Sequence, residues 1–205
     1  ERVFVVGCPR SGTTLTQSTL AAHGEVTTFP ESHFFASLLP NRRLLRWVGL
    51  AAQQSYNRLE TFLTDSGRRD LLPSRSEFGR TRRSAVKSFT TCLDRMADES
   101  EARAWVEKTP RHLWFIDAIE KYVEDPFFIH VVRRGEDVVA SLYQVTHLYP
   151  EEWGGSRTLQ ACIDRWNRDI EITLAHQHKR NHRVVSYEDL TCRRDDTAAR
   201  LFEAI

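Results

Sequence analysis

Lysine is thinly spread in this chain: of 29 basic residues only Lys87, Lys108, Lys121 and Lys179 are lysines. Arginine carries the rest of the positive charge, so a lysine at a chemically suggestive place merits attention. Cysteine is as scarce. Cys8, Cys92, Cys162 and Cys192 show no CxxC pair and no metal-like spacing to histidine, which argues against a zinc site or a dense disulfide framework and for a reducing compartment. No apolar run approaches the roughly 20 residues that span a bilayer, and no signal-peptide pattern precedes the first strand-like run. A surplus of charge is missing too. With 28 acidic residues the formal net charge is +1, too small for the long-range field that gathers nucleic acid or an anionic membrane. Internal repeats and low-complexity linkers are absent. Because the chain opens directly on a strand-like run and ends inside a helical pattern from Asp195 to Ile205, a domain trimmed at both ends is expected.

What is present suits one globular domain spanning residues 1–205. At this length, with 40% hydrophobic and 28% charged residues, one substantial core can be buried, whereas two would be cramped. Short runs rich in Val, Phe and Ile occur at Val3–Val6, Ala104–Val106, Phe127–Val132 and Val184–Ser186. Apolar on both faces, they read as buried parallel strands. Helical patterns at Thr13–Ala22, Leu113–Tyr122 and Glu136–Val145 follow the first three closely, and an amphipathic one at Leu159–His176 places Ile163, Trp166 and Ile170 on one face. Strand, short loop and helix in repetition predict an α/β fold with a central parallel sheet flanked by helices. The stretch 34–98 differs. Its helical periodicity (Leu38, Leu39, Leu44, Leu45, Val48) is broken by arginine-rich segments such as Ser74–Arg83. It reads as a helical insertion after the first βα unit, placed to cover the carboxyl ends of the strands.

The most informative segment is Val5-Val6-Gly7-Cys8-Pro9-Arg10-Ser11-Gly12-Thr13-Thr14-Leu15. A buried strand enters a tight loop that opens a helix, aiming unpaired amides and the positive end of a helix dipole at one point, which suits an anion. Ser11, Thr13 and Thr14 add hydroxyls, and Arg10 adds a charged fork matched to phosphate oxygens. Gly7 and Gly12 have the spacing of the nucleotide-triphosphate loop, giving a P-loop nucleotide-kinase-like expectation, but Thr13 stands where that loop has lysine. The strand Phe127–Val132 runs into Arg133 and Arg134, where a nucleotidase strand often ends in an aspartate for Mg²⁺. Extra arginine with no metal carboxylate suits a donor handled without a metal.

Cys8-Pro9-Arg10-Ser11-Gly12-Thr13-Thr14-Leu15 resembles the 5′-phosphosulfate loop of sulfotransferases that use 3′-phosphoadenosine 5′-phosphosulfate (PAPS). Arginine at position 10 resembles the branch containing tyrosylprotein sulfotransferases and many bacterial enzymes; cytosolic members have lysine there. A second segment, Val132-Arg133-Arg134-Gly135-Glu136-Asp137-Val138-Val139-Ala140-Ser141, is similar to the family's 3′-phosphate motif, an arginine at a strand end with a serine eight residues later on the next helix. Arg134 and Gly135 replace its usual Asp-Pro. Glu31, 21 residues after Arg10, matches the proposed general base of the tyrosylprotein enzymes, and Lys108 in Glu107-Lys108-Thr109-Pro110 matches their sulfate-contacting lysine. His33 is the rival base, since histidine does that work in cytosolic members. Tyr187-Glu188-Asp189-Leu190 resembles a motif near the end of the catalytic core, with a structural role expected.

The resemblance departs from the family at two further places. Thr28 and Val106 stand where the tyrosylprotein enzymes carry a disulfide, and the last glycine is Gly155, so the late Arg-Lys-Gly loop of cytosolic members is missing. The resemblance implies sulfuryl transfer from PAPS, leaving adenosine 3′,5′-bisphosphate (PAP), without a metal. The acceptor is a hydroxyl or amine on a small molecule, glycan, lipid or peptide tyrosine, and residues 34–98 cover its side. Pro9, Arg10, Ser11, Gly12, Thr13, Thr14, Arg133 and Ser141 would hold the donor, and Glu31, Arg10, Lys108 and His33 would do the chemistry. A cytoplasmic bacterial enzyme is expected, with a trimmed Golgi-lumenal one as the alternative. Two rival functions remain, an ATP-dependent small-molecule kinase and a catalytically silent nucleotide-binding module.

Overall fold

The computed structural model describes residues 1–39 and 49–205. Five parallel strands, β1 (Arg2–Gly7), β2 (Val26–Phe29), β3 (Ala104–Lys108), β4 (Pro126–Val132) and β5 (His182–Ser186), form one sheet in the order β2-β3-β1-β4-β5. The helices are α1 (Thr13–Ala21), α2 (Phe34–Leu38), α3 (Gln53–Asp65), α4 (Arg82–Glu99), α5 (Ile116–Tyr122), α6 (Gly135–Leu148), α7 (Leu159–His176), α8 (Tyr187–Cys192) and α9 (Arg194–Phe202), with single turns at Arg75–Phe78 and Pro150–Trp153.

The central strand shows why the sheet is parallel and covered. In β1, Phe4 and Val6 enter one core and Val3 and Val5 another, all fully buried, as expected when helices cover both faces. One face is aromatic. Phe4 lies 5.3 Å from Trp105 and 5.7 Å from Phe128 between ring centroids. α2, α3 and α4 close over it, with Phe34 stacked on Phe89 at 4.3 Å. Truncating a ring as enclosed as Phe4 to Ala costs about 3–5 kcal/mol in such cores. On the opposite face Leu20 of α1, Leu190 of α8 and Leu201 of α9 pack on Val3, Val5, Val106 and Ile129. α6 and α7 pair over Cys8 through Val138, Leu142 and Cys162.

β2 is a strand that the apolar-run pattern does not disclose. Its middle is Thr27-Thr28, half-buried at the sheet edge, and it is held by register with β3, Thr28 opposite Val106. The helical stretch therefore follows a βαβ unit rather than the first βα unit. Of its expected periodic residues, Leu44, Leu45 and Val48 lie outside the described residues. Its polar interruption is ordered by two reciprocal capping boxes, Ser74 with Glu77 and Thr81 with Ser84. The helix expected at Leu113–Tyr122 splits into a 3-10 segment, Pro110–Phe115, and α5.

This topology decides where a site can be. From β1 the chain moves to β2 and β3 on one side and then to β4 and β5 on the other, so the strand order reverses at β1. Ligands in open α/β sheets bind at the carboxyl ends beside such a reversal. Gly7, Lys108 and Val132 close β1, β3 and β4 at that edge.

Candidate functional site

The loop after β1 is built from backbone demands. Gly7 lies so close to β4 that a Cβ would stand 2.5 Å from the Val131 carbonyl oxygen. Gly12 has φ 100, and a Cβ there would run into the Tyr187 ring. Arg10 takes φ 74, a conformation L residues seldom adopt, and the turn is closed by the Ser11 N–H donating to the Cys8 carbonyl at 3.1 Å. Gly12 caps α1 without any side-chain acceptor, and the first turn carries no acidic residue. Its leading amides are thus left for an anion. Ser11 and Thr13 are buried in the loop, while Thr14 and Arg10 are exposed and Pro9 is half-buried. Burial, and then the neighbouring Asp169, push the Cys8 thiol well above its usual pKa, which removes it as a nucleophile.

Beside the loop, Arg10, Ser141 and Arg133 come together. Arg10 Nε donates to Ser141 Oγ at 3.0 Å, and Arg133 Nη1 lies 3.5 Å from the Arg10 carbonyl oxygen. The Arg133 guanidinium stacks on the Tyr187 ring at 4.3 Å and meets Asp137 one helical turn on, at 3.5 Å. Its Nε is buried with no partner among the described residues. A buried guanidinium N–H without an acceptor is costly, and a phosphate oxygen would satisfy it.

On the other side of β1 stands a second cluster. Lys108 ends β3 almost fully buried, and its ammonium donates to Glu31 Oε1 at 2.5 Å. His33 Nε2 lies 3.3 Å from the other Glu31 oxygen. Burial lowers the His33 pKa, an effect that Glu31 opposes and that His112 and Arg58 reinforce. Its ring is therefore neutral near pH 7 and able to take a proton. Among the described residues no hydrogen bond or ion pair joins this cluster to Arg10, Ser141 or Arg133.

The motifs also left some residues unmarked. Ser32, Glu107, Thr109 and His112 are fully buried beneath the Glu31 turn and hydrogen-bonded to one another. Tyr187, expected to be structural, lies between Gly12 and Arg133. The only available signal for Glu107 was its place beside Lys108. Neighbours on a strand face opposite sides, and β3 is buried on both, so each of the two adjacent charges needs protein partners.

A family model described as the sulfotransferase family matches residues 2–205. No curated protein matches the chain. Among solved structures, the sulfotransferase domain from the curacin biosynthetic pathway is 18% identical with a TM-score of 0.63, covering 99% of this chain and 72% of that one. The sulfotransferase domain of the Synechococcus PCC 7002 olefin synthase is 20% identical at TM-score 0.60, covering 99% and 72%. A mouse sulfotransferase complexed with PAP is 10% identical at TM-score 0.55, covering 100% and 57%. At such identities the likeness is one of fold.

Proposed function

The chain belongs to the sulfotransferase family, and from that premise we propose that it moves a sulfuryl group from PAPS to an acceptor hydroxyl or amine. The observation that carries this reading is the pair of clusters flanking the uncapped start of α1. Arg10, Ser141 and Arg133, with its unpaired buried Nε, stand on one side, and Glu31, Lys108 and His33 on the other.

In this reading the loop from Pro9 to Thr14 receives the 5′-phosphosulfate, and Arg133 with Ser141 receives the 3′-phosphate and fixes the donor's register. The acceptor oxygen approaches sulfur in line. A new S–O bond forms as the bridging S–O bond breaks, and the electron pair stays on the departing 5′-phosphate oxygen of PAP. The loop amides, Arg10 and Lys108 stabilise the charge that grows there. Lys108 leaves Glu31 for the sulfate, freeing the carboxylate to take the acceptor proton. A second assignment follows from the 3.3 Å contact between His33 Nε2 and Glu31. If Nε2 carries the proton toward Glu31, then Nδ1 is the base and Glu31 orients it. The described residues of the 34–98 stretch are assigned to the acceptor wall, with Arg58 of α3 near enough to act on His33. Thr28 and Val106, partners in register across β2 and β3, hold the places of the tyrosylprotein enzymes' disulfide cysteines and set this chain apart from those enzymes, nearer to a bacterial relative.

The cations at the carboxyl edge take the role that Mg²⁺ plays for a kinase. Labelled PAPS incubated with an extract of the source should therefore label an acceptor equally well with magnesium or with EDTA, and ATP should label nothing. Transfer that needs ATP and magnesium would make the chain a kinase. PAPS binding without turnover would make it a silent module.

A further inference from the structure

Glu107 is a fully buried carboxylate that the transfer chemistry does not use. Four groups donate to it. The Ser32 amide at 3.1 Å, the Ser32 hydroxyl at 2.8 Å and the Thr109 hydroxyl at 2.5 Å reach Oε1, and His112 Nδ1 reaches Oε2 at 2.8 Å. The acceptor capacity of those donors is used as well. Ser32 Oγ accepts from the Phe34 amide at 3.2 Å, Thr109 Oγ1 from the His33 amide at 3.3 Å, and His112 Nε2 from the Phe35 amide at 3.3 Å. The last contact fixes the tautomer, because an Nε2 that accepts leaves Nδ1 to carry the imidazole proton toward Glu107.

The amides of Ser32, His33, Phe34 and Phe35 are therefore all held by Glu107, directly or through one side chain. Within them His33 keeps a left-handed conformation, φ 50, which a non-glycine residue holds only when its surroundings insist. Burial pushes the Glu107 carboxyl up. The hydrogen bonds from His112 Nδ1–H and from the Thr109 and Ser32 hydroxyls oppose that push and hold it below the usual carboxylate range, so it is an anion at neutral pH. Glutamine would not serve. Every neighbour donates, and an amide would set N–H against His112 Nδ1–H unless the imidazole abandoned the Phe35 amide.

We propose that Glu107 is a positioning residue, whose charge gathers these four amides, locks His33 and so presents Glu31 to Lys108. What the lock serves rests on the sulfuryl-transfer reading; that the lock exists does not.

The test uses Glu107→Gln and the milder Ser32→Ala, both studied well below their melting temperatures. Neither residue touches the phosphate loop, so PAP affinity by calorimetry should stay within about twofold of wild type. Turnover should fall roughly 10- to 100-fold in kcat with little change in KM for PAPS, since a misplacement of about 1 Å can cost 10²-fold. A merely structural role would lower the melting temperature and leave kcat of the folded enzyme alone. A separate readout is His33 followed by ¹⁵N-histidine NMR. Its ring is acted on by Glu31, which also holds Lys108, and by His112, Arg58 and Glu107, and burial dominates its lowered pKa. An opened turn should move its titration up toward the usual value. Folded variants that keep both kcat and the His33 titration would overturn the proposal. If His33 shifts while the wild-type protein transfers no sulfuryl group, the lock stands and the proposed function falls. Should Glu107→Gln fail to fold, Ser32→Ala carries both readouts.

Discussion

Removing the 3′-phosphate from PAP, to leave 5′-AMP, should weaken binding by an amount the cleft bounds. The phosphate would take the buried Arg133 Nε and the Ser141 hydroxyl, which now accepts from Arg10 at 3.0 Å. Hydrogen bonds to charged groups contribute about 1.5–3 kcal/mol. Against this stands the Arg133–Asp137 pair at 3.5 Å, with side chains 25% and 45% exposed, which is worth at most about 1 kcal/mol when exchanged. The net is then about 0.5–3 kcal/mol, roughly 2- to 150-fold in Kd. Calorimetry with the two nucleotides measures the ratio. Arg133→Met, which keeps the aliphatic stem on Tyr187, should collapse it by weakening PAP far more than 5′-AMP. Asp137→Asn should leave PAP binding equal or slightly tighter, because a competing carboxylate is gone. Equal affinities in the wild type, or an Arg133→Met loss shared equally by both nucleotides, would refute the 3′-phosphate assignment.

Glu31→Gln should preserve PAP affinity and lower kcat by about 10²- to 10⁴-fold, the usual worth of a positioned base; a nearly silent Glu31→Gln beside an inactive His33→Ala that still binds PAP would assign the base to His33. Stability should fall in mild acid because of the histidines buried between β4, β5 and α7. His130 Nε2 meets His182 Nδ1 at 2.8 Å, with Thr173 on the far side, and burial, then His182 and His176, push the His130 pKa down to about 3. A folded-state pKa below the unfolded value gives stability that is complete above about 6.5 and is lost as the pH falls toward 3. From pH 7.5 to pH 5 the loss through His130 is about 2 kcal/mol. Urea midpoints at the two pH values measure it, and an unchanged midpoint, or the same loss in His130→Asn, would remove His130 as the cause.

What was legible in the sequence was what short-range backbone rules write into adjacent letters. The buried run before Gly7, the glycine that Tyr187 crowds at position 12 and the serine two turns beyond Arg133 each constrain a few neighbouring residues. The loop and the 3′-phosphate candidates could therefore be named together. β2 was less legible because Val-Thr-Thr-Phe is half-buried at an edge and owes its strand conformation to pairing with β3, a partner over seventy residues away. The Glu107 network was hidden for a related reason. In Glu-Lys-Thr-Pro the glutamate and lysine look like one solvated charge pair, yet strand geometry sends them to opposite sides. The acceptor of the lysine, Glu31, and two of the four donors to the glutamate, from Ser32, come from the Pro30–His33 turn. Polarity in a sequence says that a residue needs partners, and only the pairing of β2 beside β3 says whether those partners are water or protein. A buried anion is tolerable here because one of its four donors is a backbone amide and the other three are each held by one, so its cost depends on groups that no local pattern brings together.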